Sequence, residues 1–466
     1  MHTEKRNLLM LEYKQAFEKY YDEHMDEILA SLSEIISIDS VATLESEVKP
    51  FGEGSARALR WGEDFLKSLG MKTLNVDGYA VHGDYAEGEP VLAVLSHLDT
   101  VPAGEGWSYP PFELTVKDGV LYGRGTIDDK GPSVAVLYAV KAIKDLGIPI
   151  ERNFRVVFGG FEEGGCEDIE YYQKKFPFPK MVFTPDGSFP VLNCEKGLVH
   201  LTFKGDITKG EKNVPYLKAG TVINAVPGKA EFVIANVTAD ELGEACAEFE
   251  GFKLNTEPQG NMLAGVLIGK SAHGSRPENG LNTATALAKA FGKLGIEGFD
   301  RIAKIFVHGD FSGKELGLGF ADKVSGEMTC VLTQLNVDDG RLTAGVDIRF
   351  PIDKTSKEII EILTGALEQG GFEVTSVESM EPHYVDEDTP LVQTLLGVYE
   401  GVSGTKGECI SEGGVTYVHN TPGAVAFGAE FPWENNNMHG ADEHITLETF
   451  RTNLNMYANA IVELTK

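Results

Sequence analysis

The sequence predicts an α/β protein, a mixed sheet flanked by helices, that carries an α+β insertion. Three changes of pattern along its 466 residues lead there. Up to about residue 195, amphipathic helical stretches alternate with short apolar strands, the pattern of a sheet covered by helices. From there to about 384, half-buried strand patterns and helices mix without strict alternation. From about 385, glycine-rich turns, an apolar strand and an amphipathic closing helix resume. The expected organisation is therefore a domain of residues 1–195 plus 385–466, interrupted by an inserted domain of 196–384.

Taken in order, residues 13–38 place Phe17, Tyr20, Tyr21, Met25, Ile28, Leu29, Leu32, Ile35 and Ile36 on one helix face. A second helix is expected from Ser55, a suitable N-cap, to a stop at Gly70. Strands are expected at 91–96, 154–161 and 181–184, with a helix at 132–146 between the first two. In the insertion, 197–206 and 221–237 alternate like antiparallel strands. Helices follow at 239–250 and 280–294, strands at 328–336 and 342–350, and a helix at 355–369. The run 309–319, GDFSGKELGLG, reads as a loop. The last strand is expected at 424–428 and the last helix at 446–464.

A net charge of −30 argues against binding to nucleic acid or anionic membranes, both of which require a basic surface. The five cysteines, Cys166, Cys194, Cys246, Cys330 and Cys409, include no CxxC pair, so neither a thiolate zinc site nor a disulfide framework is indicated. The LLML run at 8–11 is too short for a secretory core, and no apolar stretch approaches 18 residues. A cytoplasmic protein is expected.

The residues with chemical potential follow the predicted strands. The stretch VLAVLSHLDTV (91–101) delivers His97 and, two positions on, Asp99. Period two would put both on one side of a continuing strand, with the carboxylate able to orient the imidazole. GRGTIDDKG (123–131) places Asp128 and Asp129 before a helix, where either suits an N-cap. A dinucleotide loop is disfavoured there, because the third glycine is missing. Glu162 and Glu163 close an apolar strand, where two adjacent acids can aim differently, one at a cation and one at a proton. Asp186 follows a short apolar strand in FTPDG, and His439 lies in the polar turn NMHGADEH.

The stretches SHLDTVP, GRGTIDDKG, FEEGG, TPDG and MHGADE, in this order and spacing, resemble the co-catalytic two-zinc peptidase family of aminoacylases, glutamate carboxypeptidases, desuccinylases and dipeptidases. They span almost the whole chain. The long N-terminal segment and large insertion look most like bacterial dipeptidase V and carnosinase-type dipeptidases.

The resemblance implies two zinc ions per chain, with manganese or cobalt as chemically possible substitutes. By it, Asp128 would bridge the metals, His97 and Asp186 would complete one, and Glu163 and His439 the other. Asp99 would fix the His97 tautomer, and Glu162 would be the general base. The insertion would be a lid. In GKSAHGS, His273 matches the family's oxyanion-stabilising histidine. Arg349 in DIRFP matches the arginine that binds the substrate's terminal carboxylate, and Asn224 in VINAVPG a polar residue assisting it.

The substrate loop departs from the dipeptidase pattern. It reads Glu412-Gly413-Gly414-Val415-Thr416-Tyr417-Val418-His419, with Val415 for a glycine and His419 for an arginine. Gly413 and Gly414 keep the positions where substrate backbone would approach, and Glu412 adds negative charge that favours a free amino group. Phe161 stands where the family often has aspartate. The metal set is intact, so these changes bear on specificity. The expected activity is metal-dependent hydrolysis of dipeptides with a free C-terminal carboxylate, by a monomer. The alternatives are a deacylase of N-acyl amino acids, and a degenerate metal- or peptide-binding sensor, which would have no need of Glu162.

Overall fold

The structure is a computed structural model describing residues 2–44, 49–207 and 210–466, with side chains described from residue 13 onward. The chain forms two compact units. One comprises Met1–Asn193, Tyr384–Ile410 and Val415–Lys466, and the other Cys194–His383 with Ser411–Gly414.

In the first unit the apolar run predicted around 91–96 forms the strand Leu92–His97, buried at every position. It lies parallel to Phe154–Gly159 on one side and Met181–Thr184 on the other. Ala424–Ala426 extends the sheet in parallel beyond Met181–Thr184. At the other edge, the hairpin of Lys72–Val76 and Ala80–Asp84 runs antiparallel, so the sheet is mixed. Strands this apolar on both faces need cover on both. The helix Lys130–Asp145 supplies part of that cover, and Leu447–Leu464, His2–Ile36 and Pro390–Ser403 pack with it into one core. Because the central strands are parallel, their carboxyl ends share one edge, where the residues after each strand meet.

The second unit is built on an eight-stranded sheet with a core of its own. Thr329–Asp338 pairs antiparallel with Arg341–Phe350, which pairs in turn with Gly197–Asp206. Helices Thr283–Lys293, Phe299–Ile305 and Ser356–Gln369 contribute to that core.

Several expectations are corrected. The second helix begins at Gly52, with Phe51 at the cap, and Ser55 lies inside it. The Ser55 hydroxyl instead donates to the Gly160 carbonyl, 2.7 Å away, because the buried strand end offers it a stronger partner than its own helix. Asp129 holds the cap position of Lys130–Asp145 but makes no side-chain cap bond, being drawn to Ser96 and the His97 N–H. The continuous strand expected over 221–237 is broken at Pro227-Gly228 into Ala225–Val226 and Lys229–Ala235. The hairpin Lys253–Gln259 with Met262–Ile268 and the helix Pro390–Ser403 were not anticipated. No helix among the described residues is long and apolar enough to cross a membrane.

Candidate active site

Six predicted residues stand together in the first unit, four of them at or just beyond a strand end. His97 ends its strand, Glu162 and Glu163 follow Phe154–Gly159, and Asp186 follows Met181–Thr184. Asp128 precedes the helix Lys130–Asp145, and His439 comes from the loop before the last helix. They form two donor groups, His97 with Glu162 and Asp186, and Asp128 with Glu163 and His439, each with atoms within 4.8 Å of one another.

Asp128 joins the groups. Its Oδ1 lies 3.0 Å from His97 Nε2 and its Oδ2 2.8 Å from His439 Nε2. His97 Nε2 is 3.8 Å from Asp186 Oδ2, and His439 Nε2 is 3.2 Å from Glu163 Oε1. Two ligands about 2.0–2.2 Å from a tetrahedral zinc stand about 3.3–3.6 Å apart, close to these last separations. Glu163 Oε1 is buried without a well-formed hydrogen bond despite its nearness to His439, as for two donors aimed at a common point. The mixed nitrogen and oxygen set suits zinc, so the residues fit the implied metals.

The electrostatics agree. Four carboxylates here face two imidazoles. Burial, then repulsion from Asp128, pushes the Glu163 carboxyl up to about 7. Burial pushes Glu162 and Asp186 well above the carboxylate range, with neighbouring carboxylates adding to it and His97 opposing it. A cation between the groups would relieve both the desolvation and the repulsion.

His97 Nδ1 lies 3.1 Å from the Asp99 carbonyl and 3.3 Å from Asp99 Oδ1. Both can only accept, so a proton belongs on Nδ1, and in the neutral ring the Nε2 lone pair is left to a cation held beside Asp128. Asp99 lies just beyond the strand, which ends at His97. Its two oxygens also accept from the Glu162 and Glu163 backbone N–H groups, each at 3.1 Å, tying both acids to the His97 loop.

Sequence reasoning missed three supporting acids. Glu443 is buried, pairs with Arg124, and accepts from Gly125 and Ile127 N–H at 2.9 and 3.1 Å, pinning the Asp128 loop to the His439 loop. Asp168 accepts from Gly160 and Phe161 N–H and from the Tyr417 hydroxyl, steadying the approach to Glu162. Asp129 holds the His97 N–H. The only signal was position, an acid beside a motif, which is equally the mark of a solvated turn.

The predicted residues of the insertion lie in the second unit. Ser275 N–H donates to His273 Nδ1 at 3.2 Å, so that nitrogen accepts and the neutral ring carries its proton on Nε2. Ala225, next to Asn224, pairs with His273, and Gly274 N–H donates to the Asn224 carbonyl at 2.7 Å. Arg349 is buried against Asp347 and donates from Nη1 to the Gly413 carbonyl. A Cβ on Gly413 would stand 2.6 Å from Ser275 Cβ, so glycine is required there, whereas Gly414 has open space.

Residues 93–463 match the model of peptidase family M20/M25/M40. The chain belongs to that family. It is 34% identical over 461 residues to "Putative dipeptidase YtjP" of Bacillus subtilis, covering 95% of this chain and 98% of that one. It is also 34% identical to "Beta-Ala-Xaa dipeptidase" of Lactobacillus delbrueckii subsp. lactis, covering 97% and 98%. The fold is similar to that of human carnosine dipeptidase 1, with a TM-score of 0.57 at 16% identity and coverage of 97% and 99%. It is similar also to the di-peptidase Dug1p from Saccharomyces cerevisiae, with a TM-score of 0.60 at 13% identity and coverage of 97% and 98%. As a member of this family the protein is a metal-dependent hydrolase.

Proposed function

We propose that this M20/M25/M40 peptidase is a monomeric dipeptidase that cleaves dipeptides bearing a free C-terminal carboxylate. The carrying observation is the pair of donor groups joined through Asp128, whose two oxygens each face one histidine Nε2. The dipeptidase names of its relatives favour the same substrate class.

In this reading His97 and Asp186 would hold one zinc ion, Glu163 and His439 a second, and Asp128 would serve both. Bound zinc would supply Lewis acidity at the scissile carbonyl and make a water acidic near neutrality. Glu162 takes the proton of the attacking water and passes it to the leaving amine. Its burial raises its affinity for that proton, which helps it hold the proton between the two transfers. Asp99 keeps both His97 and the Glu162 backbone in place. His273, with its proton on Nε2, donates to the oxyanion that forms from the carbonyl.

Arg349 is the carboxylate receptor, with Asn224 assisting, and Gly413 and Gly414 leave room for the substrate backbone. A guanidinium has five N–H donors, and Asp347 and Gly413 engage three of them. That leaves one on each terminal nitrogen, the pair that suits a carboxylate.

A panel of dipeptides, including β-alanyl-histidine, set against N-acetyl and N-succinyl amino acids, tests the substrate class. Dipeptides should be turned over far faster, and a preference for the acylated compounds would make the enzyme a deacylase. Elemental analysis should give about two zinc ions per chain, as a two-metal site requires.

A further inference from the structure

In the second unit, the groups expected to handle substrate are gathered around one carboxylate. Asp347 is fully buried in the strand Arg341–Phe350, and a buried carboxylate persists only when paired. His200 lies directly opposite it on the neighbouring strand, and its Nε2 stands 2.8 Å from Asp347 Oδ2. Arg349, two residues on, shares its face of the sheet. Arg349 Nε donates to Oδ1 at 3.0 Å and Nη2 to Oδ2 at 2.8 Å, a side-on, two-point grip.

The same carboxylate is also a floor. A Cβ on Gly274 would stand 2.9 Å from Asp347 Cγ and Oδ1, so the His273-Gly274-Ser275 turn rests directly on it. Gly274 N–H in turn holds the Asn224 carbonyl. Burial pushes the Asp347 carboxyl up, but the hydrogen bond from His200 and the charge of Arg349 outweigh it and hold the group below its ordinary range. It is therefore an anion at neutral pH.

We propose that Asp347, braced by His200, is the positioning residue that aims the two unengaged Arg349 N–H groups at the substrate carboxylate and seats the His273 turn. This rests on the reading of Arg349 as carboxylate receptor. The grip takes Nε and one hydrogen of Nη2 and so fixes the guanidinium plane; with the Gly413 carbonyl taking one hydrogen of Nη1, one hydrogen is left on each terminal nitrogen for the ligand. Asparagine cannot replace it. Three donors converge on Asp347, and an amide has one accepting oxygen, so whichever way it is turned an N–H group faces a donor.

The experiment measures kcat and KM for a dipeptide and for its C-terminal amide, on metal-loaded protein. Wild type should prefer the acid. Asp347→Asn should lower the acid-over-amide ratio by about ten-fold or more, the weight of a charge-assisted hydrogen bond, mainly through KM for the acid. A residue serving only to hold the fold together would depress both substrates in proportion, and an unchanged ratio overturns the proposal. If Asp347→Asn does not fold, His200 variants decide. His200→Phe should lower the ratio, and His200→Gln, which retains a donor, should restore most of it. Equal ratios in wild type, His200→Phe and His200→Gln overturn the proposal as well. A wild type with no preference for the acid ends the Arg349 reading and this one with it. A wild-type preference that survives in Asp347→Asn ends only this one.

Discussion

Two clusters of buried acid, one in each unit, are treated in opposite ways. In the second unit Asp347 has its own cation in Arg349 and a further donor in His200, and it stays ionised. In the first, Asp128, Glu162, Glu163 and Asp186 crowd around two histidines, and burial with mutual repulsion pushes three of the four carboxyls up. One arrangement is complete within the protein. The other has four carboxylates to two imidazoles. A buried carboxylate with a built-in cation is part of the architecture, whereas a surplus of buried carboxylates marks the place for a cation from outside.

That contrast breaks most sharply at Glu162, the acid to which the proposed function gives a proton rather than a metal. Glu162→Gln should leave the zinc content unchanged and lower kcat by roughly 10²–10⁴-fold, the usual weight of general acid–base catalysis. Normal turnover with lost metal would exchange the roles of Glu162 and Glu163. On the compensated side, wild type should favour a dipeptide acid over its amide by roughly two to four decades in kcat/KM, since an unpaired buried charge costs about 3–5 kcal/mol. Arg349→Ala should remove most of that preference.

His273→Ala should lower kcat by about 10²–10³-fold on acid and amide alike, because the oxyanion forms from either. A loss confined to the acid would make His273 a carboxylate ligand instead. The smallest effect concerns stability without metal. Glu163 carries a proton more readily in the folded protein, at about 7 against an ordinary 4.5. The folded state therefore binds more protons between those values, and stability falls as pH rises through that window. In chelator-treated protein, Tm should decline from about pH 4.5 to about pH 7, less steeply in Glu163→Gln, as the linkage relation requires. Identical slopes in the two proteins would show that Glu163 does not carry this frustration.

The strands that deliver His97, Glu162 and Asp186 were legible because they are short apolar runs, buried on both faces, that end abruptly in polar residues. The helices His2–Ile36, Gly52–Ser68, Lys130–Asp145 and Leu447–Leu464 were legible from apolar periodicity and capping residues, with errors at their ends, whereas Glu167–Lys175 was not expected. Ser55 is a good cap in isolation, but the Gly160 carbonyl, distant in sequence, captured its hydroxyl. Pro390–Ser403 went unread because glycines at 397 and 401 weaken a pattern that packing completes.

What the sequence determined by itself was which chemical groups stand at strand ends and in what order, since a strand's burial and a residue's type are local properties. The tertiary structure alone decided which of the acids are satisfied. Glu443 meets the Asp128 loop across more than three hundred residues, Asp168 meets Tyr417 across 249, and Asp347 meets His200 across 147. Nothing in a stretch such as GADEH or DIRFP distinguishes a solvated carboxylate from one that holds an active-site loop. The difference is desolvation and the arrival of distant donors, and both exist only once the chain has closed on itself.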